Sequence, residues 1–199
     1  MKKSIIKIIS VSSLILLITA TVGCGSKTTT TKPANETTNS ETTKDKKAKT
    51  KDFKSSDNKV QITIPDNWTQ LDELKQINPK VCIPVGNKAD EKYAVVVSTS
   101  KENFSEKITL DQCYETAVKY LKQTITNAEV SEVKDIEING LKAKTFVIKG
   151  ELNNIKISYV YAIVDSPKAF HEVSAWTLTT KFDESKDELT KVVNSFKEL

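Results

Sequence analysis

The chain has 199 residues, with 30 lysines, no arginine, 26 acidic residues and a single histidine. Its net charge of +4 originates in the first 51 residues, because residues 52–199 contain 20 lysines and 23 acidic residues, a net charge of −3. Nucleic-acid-binding domains show a concentrated basic patch, so this mildly acidic net charge argues against a nucleic-acid partner, and we predict none. Only three glycines lie beyond residue 52, which excludes P-loop and GxGxxG phosphate-binding loops.

Residues 1–23 have the pattern of a bacterial secretory signal peptide. Lys2, Lys3 and Lys7 supply the positive N-terminal region, and the uncharged stretch of residues 8–23 is rich in isoleucine and leucine. This stretch is too short to span a bilayer comfortably. We therefore predict a segment that directs export and is then removed.

The signal ends in Thr21-Val22-Gly23-Cys24, which resembles the lipobox of bacterial lipoproteins, although leucine is usual where Thr21 stands. The pattern predicts cleavage between Gly23 and Cys24 and attachment of diacylglycerol and palmitate to Cys24. Two acyl chains on one residue meet the requirement for stable membrane anchoring. The alternatives are an uncleaved anchor and an ordinary signal peptide followed by a chance cysteine.

Residues 24–51 begin with the predicted lipidated cysteine. They are rich in threonine, lysine and asparagine and nearly free of large apolar side chains. This composition cannot bury enough apolar surface to offset the entropy of ordering, so we predict a disordered tether. As a coil it would separate the membrane from the domain by roughly 30 Å root mean square, and by about 90 Å at full stretch. Its lysines would favour anionic lipid, but a solvated spacer is the interpretation that we favour.

Residues 52–199 are predicted to form one globular domain, which is long enough to bury a core without disulfides. The domain opens with a strand in which Val60, Ile62 and Ile64 alternate with polar residues and which ends at Pro65. One or two helical turns are predicted over residues 71–77.

A pair of strands is predicted next, over residues 81–85 and 93–98. Both are apolar and β-branched, and Gly86-Asn87-Lys88 separates them. The run Ala94-Val95-Val96-Val97 does not alternate, which indicates a central strand that is covered on both faces.

Two amphipathic helices are predicted from capping signals and apolar periodicity. The first begins at Thr109, where Thr109 and Gln112 form a capping box, and ends near Asn127. In the second, near the C-terminus, Ser185 and Glu188 form another capping box. Its predicted apolar stripe comprises Leu189, Val192, Val193, Phe196 and Leu199.

Between these helices, turn signals predict a meander of four strands. Asn139-Gly140 is a strong signal for a two-residue hairpin, here between strands over residues 131–138 and 141–151. Asn153-Asn154 predicts a second hairpin, since asparagine tolerates positive φ. The remaining strands cover residues 155–164 and 169–180. Strands outnumber helices, so the predicted class is α+β with a largely antiparallel sheet flanked by helices.

With its elements in this order, the domain resembles the PsbP-like superfamily, named for an extrinsic subunit of photosystem II. The likeness rests on the first strand running into Pro65 and Trp68, the Asn139-Gly140 hairpin followed by Ala143, an aromatic-rich penultimate strand, and a closing helix through residues 192–197. The resemblance implies an α/β/α sandwich and a role in binding or assembly rather than catalysis. It carries over no functional residue, because the calcium, manganese or Ran contacts of some relatives have no matching motif here.

Few side chains in the domain suggest chemistry. His171 is a lone histidine, whereas zinc needs three or four ligands, so we predict an ordinary half-exposed strand residue. We predict no metal site, no cofactor and no catalytic residue. Cys82 falls on a strand and Cys113 on the apolar face of the first predicted helix. An exported domain permits a disulfide, so the sequence leaves a bridge between these two residues as an alternative. Two free thiols are the alternative that we favour.

Acidic residues are scattered, as at Asp165, Asp183-Glu184 and Asp187-Glu188, and match no calcium loop. We interpret them as charges favoured near helix starts. Trp68 and Trp176 are the largest apolar side chains, and we expect both in the core rather than in a ligand platform.

Together these features predict a lipid-anchored protein on the extracytoplasmic face of the cell membrane of a Gram-positive-type bacterium. We expect a non-enzymatic accessory module that binds another envelope protein. A lipoprotein that binds a small solute or a metal ion is the alternative, and a hydrolase is the third candidate.

Overall fold

The computed structural model of the protein describes residues 49–199. The predicted signal peptide, the cleavage and lipidation site at Gly23 and Cys24, and all but the last residues of the predicted tether lie outside the described residues. The described part forms eleven strands and three α-helices. No helix within it is long and apolar enough to cross a membrane.

The strands and helices succeed one another irregularly along the chain. The strands are β1 (Thr50–Lys54), β2 (Val60–Pro65), β3 (Thr69–Gln70), β4 (Val81–Asn87), β5 (Lys92–Ser100), β6 (Thr126–Val130), β7 (Lys134–Ile138), β8 (Leu141–Leu152), β9 (Ile155–Asp165), β10 (Ala169–Leu178) and β11 (Lys197–Glu198). The helices are α1 (Glu73–Ile77), α2 (Leu110–Thr124) and α3 (Phe182–Asn194). Single 3-10 turns cover Lys101–Asn103 and Thr179–Lys181.

All strand pairs are antiparallel and belong to two sheets. The large sheet has the order β3-β4-β5-β10-β9-β8-β6, with β7 also paired to β8, and the small sheet has the order β1-β2-β11. Helices α1 and α2 pack on one face of the large sheet, and α3 packs on the other face together with the small sheet. This arrangement confirms the predicted α+β class, the largely antiparallel sheet and the α/β/α layering.

The core beneath α3 follows directly from the alternation in β2. Val60, Ile62 and Ile64 are buried, whereas the residues between them are only partly covered. They pack in one cluster with Trp68, which is 0% exposed and confirms its predicted place in the core. Burying a side chain of this size contributes on the order of 2–3 kcal/mol of transfer free energy.

Both predicted hairpins are confirmed. Asn139 and Gly140 have φ values of 48° and 83°, and Asn153 and Asn154 have values of 51° and 65°. Two successive positive φ values are those of a type I′ turn, whose twist matches that of the flanking strands. The turns therefore fix the register of β7 on β8 and of β8 on β9.

The first predicted capping box is confirmed. The Gln112 backbone N–H donates to the Thr109 hydroxyl oxygen at 3.2 Å, and the Thr109 N–H donates to the Gln112 side-chain oxygen at 2.9 Å. Helix α2 then runs to Thr124, where β6 follows almost at once.

The second predicted capping box is wrong. Helix α3 begins at Phe182, so Ser185 lies inside the helix, buried and without a hydrogen-bond partner for its hydroxyl among the described residues. Glu188 instead accepts a hydrogen bond from Lys92 of β5 at 3.1 Å. The capping pattern failed because buried Phe182 extends the apolar face of α3 by one turn toward the N-terminus. The predicted stripe also ran too far, since the helix ends at Asn194 and Leu199 is 50% exposed.

Four short strands, β1, β3, β6 and β11, were not predicted. Strand β1 pairs with β2 and includes Thr50 and Lys51, so the predicted tether boundary at residue 52 falls inside a strand. The segment predicted as one strand over residues 131–138 is β7 alone, and β6 before it pairs with the far end of β8. All four lie at sheet edges and are too short to show an alternating pattern of apolar and polar residues.

Candidate functional site

Three aromatic side chains form a row across neighbouring strands of the large sheet. Trp176 of β10 is paired in register with Tyr93 of β5 on one side and with Tyr159 of β9 on the other. The ring centres of Tyr93 and Trp176 are 5.5 Å apart with the planes 25° from parallel, and those of Tyr159 and Trp176 are 5.3 Å apart. Such rows of cross-strand aromatic pairs stabilise a sheet and present ring faces on one side of it.

A cavity of about 350 Å³, counted out to its open mouth, lies beside this row. We call it the aromatic cavity. Its lining combines the three rings with aliphatic side chains and one acid, and its main members are Glu91, Tyr93, Ile155, Tyr159, Trp176 and Leu178. Thr177 also lines it, and its buried hydroxyl has no hydrogen-bond partner among residues 49–199.

The charge at the mouth of the aromatic cavity is compensated. Glu91 has a φ of 56° in the turn between β4 and β5, and its carboxylate pairs with the Lys181 ammonium at 2.8 Å. Burial raises the pKa values of Tyr93 and Tyr159 above 10, so both phenols stay neutral at physiological pH. The cavity therefore suits an apolar group that fits its shape, with a polar rim around it.

Trp176 was predicted to be in the core, and it is buried as predicted while also lining the cavity. Tyr93 and Tyr159 were not singled out from the sequence. The pair of Tyr159 and Trp176 has a local determinant in the sequence. The loop between β9 and β10 sets the register of these strands, and this register places Tyr159 opposite Trp176. The pairing with Tyr93 depends on the register of β5 on β10, which no local sequence feature sets.

His171 is buried rather than half-exposed, which corrects the sequence-based expectation. Its Nδ1 lies 2.8 Å from the Ser98 hydroxyl, and its Nε2 lies 3.1 Å from the Ser166 hydroxyl and 3.6 Å from Glu198. The Phe196 ring covers it at a centre distance of 4.8 Å. The imidazole thus connects β10, β5 and the C-terminal strand β11, which indicates a structural role.

We expect the His171 imidazole to titrate below pH 6.5, because burial lowers its pKa while the Glu198 carboxylate raises it only in part. Because the unfolded chain then binds the proton more tightly, stability should fall as the pH drops from 6.5 through this lowered pKa. The chain has one histidine, so its NMR titration in the full chain needs no assignment.

A Glu198→Gln variant should lower the midpoint further, since it removes the charge that favours the imidazolium ion. Glu184→Gln, an exposed change in α3, is the control and should leave the midpoint in place. A midpoint above 6.5, or one that rises in Glu198→Gln, would show that the imidazole is not held as described.

The two domain cysteines are free thiols, so the disulfide left open by the sequence is not formed. Cys82 donates to the Val96 carbonyl at 3.2 Å and packs against the cluster beneath α3. Cys113 belongs to the cluster beneath α2, on the opposite face of the large sheet. The helix that carries Cys113 covers the sheet, as predicted, but on the face that Cys82 does not reach.

The scattered acidic residues do not converge. Asp183 and Glu184 occupy the first turn of α3, as predicted for charges near a helix start, and Asp165 pairs with Lys101. Within residues 49–199 no group of three or more histidine, cysteine, aspartate or glutamate side chains is placed to hold a metal ion.

The sequence matches the protein family described as PsbP over residues 48–198. Comparison with curated protein sequences gave no match. Among solved structures, that of CyanoP, the cyanobacterial PsbP of Synechocystis sp. PCC 6803, is similar with a TM-score of 0.57 and 13% identity, over 76% of this chain and 94% of CyanoP.

The crystal structure of LpqN, involved in cell envelope biogenesis of Mycobacterium tuberculosis, is similar with a TM-score of 0.53 and 13% identity, over 76% of this chain and 91% of LpqN. At such identities the two structures show a shared fold. The family match extends from just before β1 to β11 and so spans the whole described domain. The chain therefore belongs to the PsbP family.

Proposed function

We propose that this protein is a lipid-anchored, non-enzymatic module of the cell envelope, and that it binds another envelope protein through the aromatic cavity. The observation that carries the proposal is the solvent-open cavity beside the row Tyr93, Trp176 and Tyr159. The lipobox-like sequence before Cys24 supports the anchor.

The aromatic cavity has the features of a pocket that receives one anchoring side chain of a protein partner. Tyrosine and tryptophan offer large apolar area at low conformational entropy cost, and such residues dominate the energetics of protein interfaces. The ion pair between Glu91 and Lys181 stands at the mouth, where a polar rim surrounds an apolar centre in typical interfaces. An apolar or aromatic side chain is the group that this lining would take.

The predicted tether fits this role because it lets an anchored domain search for its partner. A coil of about 25 residues, from residue 25 to the start of β1, gives a root-mean-square separation of roughly 30 Å from the membrane. The linkage raises the effective concentration of the domain near other membrane-bound proteins without any new contact.

Site-specific photo-crosslinking in the native envelope tests the proposal. We would place p-benzoylphenylalanine at Ile155, which lines the cavity and is half-buried, in the full chain. The matched control is Lys156, the next residue of β9, whose side chain is exposed and points to the other face of the sheet. We expect one defined protein adduct from Ile155, at a yield about tenfold above that from Lys156.

A Leu178→Asp change in the Ile155 crosslinking protein should abolish the adduct, because it places a charge in the apolar lining. Cys24→Ala should move the protein out of the membrane fraction, which tests the anchor separately from the cavity. Equal adducts from Ile155 and Lys156, or none from either in a folded protein, would refute partner binding at this cavity.

A further inference from the structure

A second cavity lies between the large sheet and α2, apart from the aromatic cavity. Its volume is about 280 Å³ counted out to its open mouth. We call it the Glu172 cavity. Two phenyl rings, one carboxyl group, one thiol and two hydroxyl groups line it, from Thr99, Phe104, Cys113, Thr116, Phe170 and Glu172.

Glu172 places a carboxyl group among apolar neighbours. It follows Phe170 on the face of β10 that α2 covers, and the Tyr161 hydroxyl of β9 donates a hydrogen bond to one of its oxygens. Burial raises the pKa of Glu172 above 4.5, and the Tyr161 bond and the positive charge of Lys80 offset only part of this effect. A carboxylate in such surroundings is stabilised by a cation that enters the cavity.

The aromatic wall of the Glu172 cavity is already in contact with a cation. The Phe104 and Phe170 rings meet edge to face at a centre distance of 6.1 Å. The Lys101 ammonium lies 4.7 Å from the centre of the Phe170 ring, and Asp165 neutralises its charge. Ammonium groups are attracted to ring faces in this way, and the same wall offers apolar area to the body of a ligand.

The side chains that line the cavity itself include no positively charged group. The Thr116 hydroxyl donates its hydrogen to the Gln112 carbonyl at 2.8 Å, which leaves its oxygen as an acceptor. Burial, with smaller effects from nearby acids, raises the pKa of the Cys113 thiol to about 12, so it adds no charge. A ligand group that only donates hydrogen bonds therefore matches this lining better than one that accepts them.

We propose that the Glu172 cavity binds a small primary amine as its ammonium ion, with the ammonium group toward Glu172 and Thr116 and the apolar body against Phe104 and Phe170. The cavity is separate from the aromatic cavity, and the inference does not depend on the partner-binding function. It assigns a ligand class to the small-solute alternative that the sequence left open.

Isothermal titration of the full chain with 2-phenylethylamine and with 2-phenylethanol tests this inference. The two probes share a shape, but only the amine carries a positive charge at neutral pH. We expect the amine to bind about tenfold more tightly than the alcohol, since a hydrogen bond to a charged group is stronger than a neutral one by roughly this factor in affinity. Glu172→Gln keeps the size of the side chain and should remove this preference.

Two further variants separate a binding role from a structural one. Glu115→Gln, an exposed change on α2, should leave amine affinity unchanged. Lys80→Gln removes a positive charge near Glu172 and should strengthen amine binding. Any one of three results would overturn the assignment. They are equal affinity for the amine and the alcohol, an unchanged preference for the amine in Glu172→Gln, and no binding of the amine at millimolar concentration.

Discussion

Replacing Trp68 with alanine is expected to lower the free energy of unfolding by about 4–5 kcal/mol. Trp68 is 0% exposed and belongs to the cluster that joins the small sheet, the large sheet and α3. Removing its indole ring loses the transfer free energy of the ring and leaves a cavity that the small sheet, the large sheet and α3 would have to collapse to fill. Urea unfolding of the full chain, followed by circular dichroism, measures the loss.

Trp68→Phe is the matched control, because it keeps an aromatic ring at the same position and should cost clearly less than the alanine change. Circular dichroism is the appropriate signal, since Trp176 would be the only tryptophan left for fluorescence. A loss below about 1 kcal/mol for Trp68→Ala would mean that the packing of the two sheets and α3 does not depend on this side chain. It would contradict the packing of β2 and α3 described here.

Elements with a local determinant were predictable from the sequence. The hairpins at Asn139-Gly140 and Asn153-Asn154 follow from residues that accept positive φ, and the capping box at Thr109 is a pattern of four residues. Each of these signals lies within a few residues of the structure that it specifies. The α+β class followed from their order along the chain, because alternating strands and hairpins restrict the sheet to antiparallel pairing.

Features that depend on tertiary packing were not predictable in this way. Ser185 has a capping pattern, but the burial of Phe182 moves the helix start past it. His171 stands beside Glu172 in the sequence and shows no local sign of burial, yet Phe196 and Glu198 from the end of the chain enclose it. Both candidate cavities likewise require side chains from strands and helices that are far apart in sequence, so no spacing within one segment reveals them.

The two cavities share one face of β10. Trp176 lines one and Glu172 the other, and four residues of an extended strand separate them by about 13 Å. Helix α2 packs over Phe146, Tyr161 and Phe170, which leaves the row around Trp176 to be covered by other parts of the chain. One cavity therefore lies at α2, and the other lies where α2 does not cover this face.

Replacing Phe196 with alanine is expected to lower the free energy of unfolding by about 3–4 kcal/mol. Phe196 lies beyond the end of α3, is fully buried and packs on the His171 ring. Its carbonyl accepts a hydrogen bond from the Asn139 side chain at 2.7 Å, and the preceding Ser195 hydroxyl accepts one from the Thr63 N–H at 2.8 Å. These bonds hold the backbone in place, so the structure around a truncated side chain cannot easily collapse.

Leu199→Ala, three residues later, is the control, because Leu199 is 50% exposed and its truncation should change stability by less than about 0.5 kcal/mol. A second measurement separates local from global effects. The imidazole resonances of His171 should shift in Phe196→Ala and stay in place in Leu199→Ala, since the Phe196 ring lies directly against the imidazole. Unchanged resonances together with a small loss of stability would mean that Phe196 does not enclose His171, and that β11 is held by its backbone pairing with β2 and the contacts of Glu198.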